Sequence, residues 1–298
     1  MPEPFPVVQT RTLIHIVDGT PAFAGHYLHE DTHPIHTHSF VEVAIVMGGE
    51  GAQRSLAGRQ QLEIGDVILL RPGVWHGYED CRGLDLYNCG FSTELMNREL
   101  AWTRQDPQLG HLLWTGPYAG QRRGILTARL SRDALAECVE HLDGLRALRT
   151  CPVQTHRGDI VGRLVLFLSC LARAVVSDSG QAQHPGVTHP AVQDAMRMLE
   201  ERPAYAWTLS ELANALHLAP GYLVRLFKSA TGLPPMAYLS RQRVELAATR
   251  LLHTDDPINK IGESVGWPDQ NYFARRFKSH YGLSASTYRS RFTMTRKC

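Results

Sequence analysis

The chain contains a near-copy of part of itself. Phe227-Lys228-Ser229-Ala230-Thr231-Gly232-Leu233 returns 50 residues later as Phe277-Lys278-Ser279-His280-Tyr281-Gly282-Leu283, with Arg225 and Arg275 in register two residues upstream. Further upstream, Leu212-Ala213 followed by Leu216 corresponds to Ile261-Gly262 followed by Val265. Each copy therefore reads as a short helix with a small residue (Ala213 or Gly262) where two helices approach closely, then a turn, then a second helix ending in Gly. That is the layout of a helix-turn-helix unit. The second helices carry Arg and Lys between apolar positions (Leu223, Leu226, Phe227; Phe273, Phe277). A repeat used only for packing would not need those charges. The long run 236–252 between the copies is suited to bridge them.

Charge points the same way. From residue 190 onward 15 Lys and Arg stand against 9 Asp and Glu, whereas the first 189 residues carry a net −4 within a chain of net +2. After residue 269 there are seven basic residues and no acidic one. Such an asymmetry suits a polyanionic partner. A length of 298 residues predicts two domains, and 43% hydrophobic with 20% charged residues excludes a disordered chain. The longest apolar run, 164–176, is broken by Ser169 and Arg173 and falls short of the roughly 18 residues of a membrane span. The first residues show no basic patch followed by an apolar stretch, so no secretion signal is expected. Six cysteines (Cys81, Cys89, Cys138, Cys151, Cys170, Cys298) form no Cys-x-x-Cys pair. Reduced thiols in a cytoplasmic protein are expected rather than a disulfide framework or a zinc knuckle.

The first hundred residues read as strands. Val41-Glu42-Val43-Ala44-Ile45-Val46 is expected to end in a turn at Gly48-Gly49-Glu50-Gly51, Val67-Ile68-Leu69-Leu70 runs to Pro72-Gly73, and 84–91 is a further strand. From Ser131 the period changes: Leu135, Cys138, Leu142 and Leu145 mark an amphipathic helix, and a buried helix is expected over about 159–176. The Ser-, Gly-, Gln- and Pro-containing stretch 177–190 reads as a linker. Beyond it Val192, Met196 and Leu199 share a helix face, Thr208-Leu209-Ser210-Glu211 is a capping box, and Asp256-Pro257 starts another helix with Asp as the cap.

Histidines supply a second constellation. His36 and His38 point to one face of a strand because the side-chain period is two, and Glu42 joins that face. His76, following Gly65-Asp66 and Pro72-Gly73-Val74-Trp75, comes from a neighbouring strand. Three imidazoles and a carboxylate converging inside a barrel can bind a divalent transition metal, or they can line an effector pocket as hydrogen-bonding groups. Trp75, Tyr78 and Tyr87 are candidates to line the same cavity. His26, His29 and His33 share no single face by spacing and are expected to be exposed or core residues.

Residues 190–298 resemble the DNA-binding domain of AraC/XylS-type transcription regulators. The strongest signature is Ile258-x-x-Ile261-Gly262-x-x-x-Gly266-Trp267, then Tyr272-Phe273-x-x-x-Phe277-Lys278, Gly282 and Tyr288-Arg289. Gly262 stands where the family usually has Ala, Trp267 where Phe is common, and Ala285 where Pro is common. The resemblance implies base-reading positions at Gly221, Val224 and Arg225 in the first recognition helix and at Asn271, Tyr272 and Arg275 in the second. Arg suits guanine and Asn suits adenine. Gly221 has no side chain to read a base, which leaves Arg225 to carry the first helix. Lys228, Arg276 and Lys278 are expected phosphate contacts. His-x-His-x-x-x-Glu, then Gly-Asp to Pro-Gly-x-x-His, is similar to the two cupin motifs over about residues 20–95, with Arg71 in place of a proline and Asp80 in place of an Asn.

The expected fold is multidomain α and β. It has an N-terminal cupin β-barrel (a double-stranded β-helix) with two following helices, and a C-terminal all-α domain with two helix-turn-helix units. The expected boundaries are 1–130 for the effector-binding domain, 131–177 for a helical dimerisation region, 178–189 for the linker and 190–298 for the DNA-binding domain. The resemblance implies an effector-responsive regulator, an activator and not an enzyme, sensing a sugar or related metabolite. Its partners would be double-stranded promoter DNA, the small-molecule effector, RNA polymerase and a second copy in a homodimer, with no membrane. The cofactor in view is a divalent zinc, nickel, iron or manganese ion at His36, His38, Glu42 and His76. The alternatives are a metal-dependent cupin enzyme with an appended regulatory domain, and a regulator that senses the metal itself.

Overall fold

A computed structural model describes residues 7–10, 13–16, 19–119, 122–178 and 189–293. Cys298 and all but the ends of the expected linker lie outside the described residues. The chain divides into two compact units, Met1–Thr103 with Gly124–His184, and Arg104–Arg123 with Pro185–Cys298. Among the described residues no helix is long and apolar enough to cross a membrane.

Among the described residues the first unit is built on nine strands: β1 (Val7–Thr10), β2 (Leu13–Ile16), β3 (Ala22–His29), β4 (His33–His38), β5 (Val41–Ser55), β6 (Gly58–Gln61), β7 (Asp66–Leu70), β8 (His76–Phe91) and β9 (Ile125–Arg129). They pair in the order β1-β2-β4-β8-β5-β7-β9, with β3 also on β8 and β6 on β5. All five residues of β7 are buried, as a continuous apolar run predicts for a strand covered on both faces. Two strands are longer than their patterns indicate. The glycines at 48–51 do not end β5; they bend it. Gly49 takes φ 76°, and the register with β8 shifts between Val46 and Gly48, Gly48 and Glu50, and Glu50 and Ala52. A side chain at Gly49 would strike the Gly83 carbonyl at 1.9 Å, so these are bulges that let two long strands cross closely. Likewise β8 starts at His76, eight residues before the expected 84–91 segment.

After the short α1 (Thr93–Asn97), the unit resumes with β9 and two helices. In α3 (Arg132–Ala147) the Ser131 hydroxyl caps the start, accepting from Ala134 N, and Cys138, Leu142 and Leu145 are buried. Leu135 of the expected stripe is only half-buried. The stripe packs on α4 (Val153–Asp178), whose Leu164, Phe167, Leu168 and Leu171 are buried.

The second unit holds α2 (Pro107–Gly110), α5 (Pro190–Glu201), α6 (Leu209–Ala215), α7 (Pro220–Thr231), α8 (Pro235–His253), α9 (Ile258–Ser264), α10 (Gln270–Tyr281) and α11 (Ala285–Phe292). The segment 104–123 groups with these helices although the sequence places it among the first 130 residues. Its Arg104 pairs with Glu200 of α5 at 2.6 Å and lies 3.7 Å over the Trp114 ring.

The repeat is visible as two helix-turn-helix units, α6–α7 and α9–α10, on either side of α8. Both second helices end on a left-handed glycine, Gly232 at φ 75° and Gly282 at φ 72°. Gly262 faces α10, where a Cβ would meet Phe273 Cδ1 at 3.0 Å. Two of the expected caps differ in detail. Thr208 Oγ1 accepts from Glu211 N at 3.1 Å, but the Glu211 carboxylate accepts from Tyr205 Oη instead of reaching back. Pro257, not Asp256, is the N-cap of α9, without a side-chain hydrogen bond.

The two turns close alike, Leu218 N on Ala213 O at 2.9 Å and Trp267 N on Gly262 O at 2.8 Å. The pivot residues are His217 at φ 55° and Gly266 at φ 90°. A left-handed L-residue costs about 1–2 kcal/mol, partly offset in a glycine by its freer unfolded chain. The exposed His217 changed to Gly is therefore expected to stabilise the unit by about 0.5–1 kcal/mol, read from urea unfolding. A loss of stability would contradict this account of the turn.

Candidate nucleic-acid interface and metal centre

On α7 the positions 223 and 227 are buried, and on α10 the equivalent 273 and 277. Gly221, Arg225 and Lys228 lie on the opposite face, as do Asn271, Arg275 and Lys278, at the i, i+4, i+7 spacing of one helical stripe. All six are exposed. Asp269 accepts from Asn271 N at 2.8 Å and Tyr272 N at 3.1 Å, which fixes the first turn of α10. Val224 is half-buried. The guanidinium of Arg276 turns to α8, donating to Ser240 Oγ from Nε at 3.0 Å and Nη2 at 2.7 Å, and so leaves the stripe that Arg275 and Lys278 form. On this face Tyr222 was not among the expected residues. Tyr222 is 43% exposed and Tyr272 41%, and their separation of 50 residues could have flagged the pair. A stripe of this kind, an arginine flanked by an amide, a phenol and a lysine, can reach base edges and backbone phosphates together.

In the first unit His36, His38 and His76 converge, with ligand atoms within 4.8 Å of one another and all three side chains buried. Glu42 Oε2 lies 3.4 Å from His38 Nε2 and 3.5 Å from His76 Nε2. Pairing of β4 with β8 sets His36 opposite His76. Among the described residues, His38 Nε2, both ring nitrogens of His76, Glu42 Oε2 and Tyr78 Oη are buried without a hydrogen bond. Buried polar atoms in folded proteins nearly always have partners, so this concentration of orphans marks a place built for something else to bind.

The neighbouring bonds orient the donors. His36 Nδ1 lies 2.9 Å from the Pro34 carbonyl, to which it can only donate, leaving Nε2 with a lone pair. Asn88 Nδ2 donates to Glu42 Oε1 at 2.9 Å, leaving Oε2 free. Asn88 was not among the expected residues, since its role depends on the β5–β8 register.

Burial sets the protonation. It holds His36 down to about 3, helped by His33, and lowers His38 and His76 well below the usual imidazole range. It also pushes Glu42 up to about 8, opposed by the Asn88 hydrogen bond. The imidazoles are neutral, and the carboxylate lacks the positive charge that would stabilise it. A divalent ion bound here would supply that charge. Zinc bonds of about 2.0–2.1 Å put tetrahedral ligand atoms roughly 3.3–3.4 Å apart, close to the observed separations from Glu42. The residues present fit the ion.

The cavity beside these groups has a volume of about 50 Å³ and is lined by Tyr27, His29, His33, Glu42, Tyr78 and Asn88 among others. Of the expected aromatics only Tyr78 lines it. Tyr87 points away and donates to Asp143 Oδ1 of α3 at 2.9 Å, and Trp75 is not among the lining residues. His29 and His33, expected to have no common face, do line it. They belong to different strands, and a register shift between His33 and His36 turns two residues three apart toward one side.

Comparison with known protein families matches both halves. Residues 20–141 match the AraC-like ligand binding domain and residues 212–291 a helix-turn-helix domain. The chain belongs to the AraC family of transcription regulators. This AraC-family chain is similar to the HTH-type transcriptional activator RhaS of Pectobacterium carotovorum, 26% identical over 86% of this chain and 87% of that one. It is also similar to a putative AraC-like transcription regulator of Streptomyces antibioticus, 35% identical over 35% of this chain and 34% of that one. The RCS-specific activator RclR of Escherichia coli is 30% identical over 35% of this chain and 36% of that one. The last two matches span about a third of those relatives' length. ToxT from Vibrio cholerae shares the fold, with a TM-score of 0.53 and 14% identity over 92% of this chain and all of that one.

Proposed function

We propose that this AraC-family chain is a transcription activator that reads duplex DNA through α7 and α10 and is controlled by a divalent transition-metal ion at His36, His38, His76 and Glu42. The observation that carries the DNA reading is the matched pair of exposed stripes, with Arg225 and Arg275 at equivalent places opposite buried cores. The relatives' descriptions as activators support the direction of regulation. The metal reading is favoured over the sugar effector by size. A cavity of about 50 Å³ has room for an ion and a few water molecules, whereas ligand pockets for larger molecules run to about 300 Å³ or more. In such a centre His36, His38 and His76 donate neutral nitrogen, Glu42 supplies the negative charge, and Asn88 and the Pro34 carbonyl hold two of the four in place. The ion would supply positive charge that draws β4, β5 and β8 together. The named relatives are regulators, which favours this reading over a metal-dependent enzyme.

Two measurements test the proposal. Selection from a random duplex pool with the full chain should return two elements about one helical turn apart. Arg275→Ala should weaken binding to the selected duplex by about 1–3 kcal/mol and relax one base position. An unchanged base preference would remove the assignment. Elemental analysis of the purified chain should find a zinc-class ion that is lost in His38→Ala/His76→Ala. A chain that binds no such ion after incubation and desalting would remove the metal reading and leave the DNA reading standing.

A further inference from the structure

The imidazoles do not end at the quartet. His29 on β3 and His33 on β4 have ring centroids 4.8 Å apart, and His33 lies 4.7 Å from His36. His36 in turn lies 4.3 Å from His76 and 5.0 Å from His38. Five histidine rings thus form an unbroken file. Burial grades along it: His29 and His33 are half-buried, whereas His36, His38 and His76 are buried. His29, His33, His36 and His76 line one cavity.

The outer pair has no other evident task. Among the described residues neither the His29 nor the His33 ring makes a hydrogen bond or ion pair, although the backbones of both lie in regular strands. His29 stacks on Tyr78 at 5.3 Å, and Tyr78 lies 5.5 Å edge-on from His76, so the phenol separates outer from inner rings on one side while His36 joins them on the other.

We propose that His29 and His33 form a second, outer position for a divalent transition-metal ion, ahead of the inner site and on the route by which that site is filled. A nitrogen–metal bond of about 2 Å places each ring centroid about 3 Å from the ion, and two adjacent ligands then set their centroids about 4.5–5 Å apart. The observed centroid distance of 4.8 Å lies at that spacing. Two protein ligands and otherwise water make the outer position weaker than the inner one, as a transfer site must be. His36, in ring contact with both groups, is the side chain that connects them. The inference rests on the metal reading of the inner quartet.

The test uses the full chain stripped by a chelator and titrated with Co²⁺ and Zn²⁺, with stoichiometry from calorimetry and loading followed through the cobalt absorption bands. The wild type should take up two ions, one tight and one weak. His29→Gln/His33→Gln should retain the tight ion, lose the weak one and load several-fold more slowly, with an unchanged melting temperature of the stripped protein as the check on folding. His38→Ala/His76→Ala should show the converse, losing the tight ion and keeping the weak one. A single tight ion in the wild type, loading at the same rate in His29→Gln/His33→Gln, would overturn the outer site and leave the inner one intact. Persistence of the weak ion in that double variant would overturn it too. If the wild type takes up no ion, the inner quartet fails as a metal centre and the outer site falls with it.

Discussion

Replacing Arg243 by Met is expected to destabilise the second unit by about 3–5 kcal/mol, a large part of the 5–15 kcal/mol that holds a typical domain folded. Arg243 stands on α8, only 8% exposed. Its guanidinium donates to the Pro203 carbonyl at 2.7 Å, the Tyr205 carbonyl at 2.7 Å and the Gly266 carbonyl at 3.0 Å. The first two belong to the chain entering α6, and the third to the turn between α9 and α10. One side chain thus fastens both helix-turn-helix units to the helix between them. The turn fits over it because residue 266 is glycine. A Cβ there would stand 2.8 Å from Arg243 Cζ, and φ 90° is a conformation L-residues avoid. Met fills much of the same volume but leaves three carbonyls without their donor. Urea unfolding of the full chain should show the loss, and affinity for duplex DNA should fall further than in Arg275→Ala, since two reading helices held loosely must be ordered on binding. A change below about 1 kcal/mol would mean that water replaces the guanidinium and that the units are joined elsewhere.

Arg243 also illustrates what the sequence could and could not show. The repeat itself is legible because each copy spends its apolar residues on one face and closes on a left-handed glycine, both of which are local properties. The i, i+2 pair His36 and His38 is legible for the same reason. Contacts made across the chain are not. Arg243 looks like one more basic residue in a basic half, and only the fold shows it turned inward. His33 is hidden by a bulge that breaks the period-two rule, and Asn88 by the register of β5 on β8. The glycines of 48–51 carry an ordinary turn signal, and the outcome depends on Gly83 lying opposite. Tyr87 is drawn out of the cavity by Asp143, on a helix 56 residues away. Arg276 and Arg275 are neighbours of equal charge. One is taken up by Ser240, and the other stays on the reading face.

The second large effect concerns acid. His280 of α10 is 8% exposed, and its Nε2 has no hydrogen-bond partner among the described residues. Burial, then the guanidiniums of Arg241 on α8, Arg123 in the segment 104–123 and Arg276 on α10, hold it down to about 3. The edge of the Tyr281 ring, 4.7 Å away, adds no charge. In the unfolded chain the same imidazole titrates near 6.5. Above that pH both states are neutral and the full stability is present. Below it the unfolded chain binds a proton that the folded chain refuses, so stability falls with decreasing pH, by up to about 1.4 kcal/mol per unit, until the folded value near 3 is reached. Between pH 7 and 5 this one group should remove about 2 kcal/mol. His280→Gln, which cannot take the proton, should lose that much less over the same interval. Hydrogen exchange of the α8 and α10 amides in the full chain isolates the effect from the histidines of the first unit. Parallel pH slopes in the two proteins would show that His280 is protonated within the fold, and that the three arginines are farther from it in solution than the packing of α8 on α10 places them.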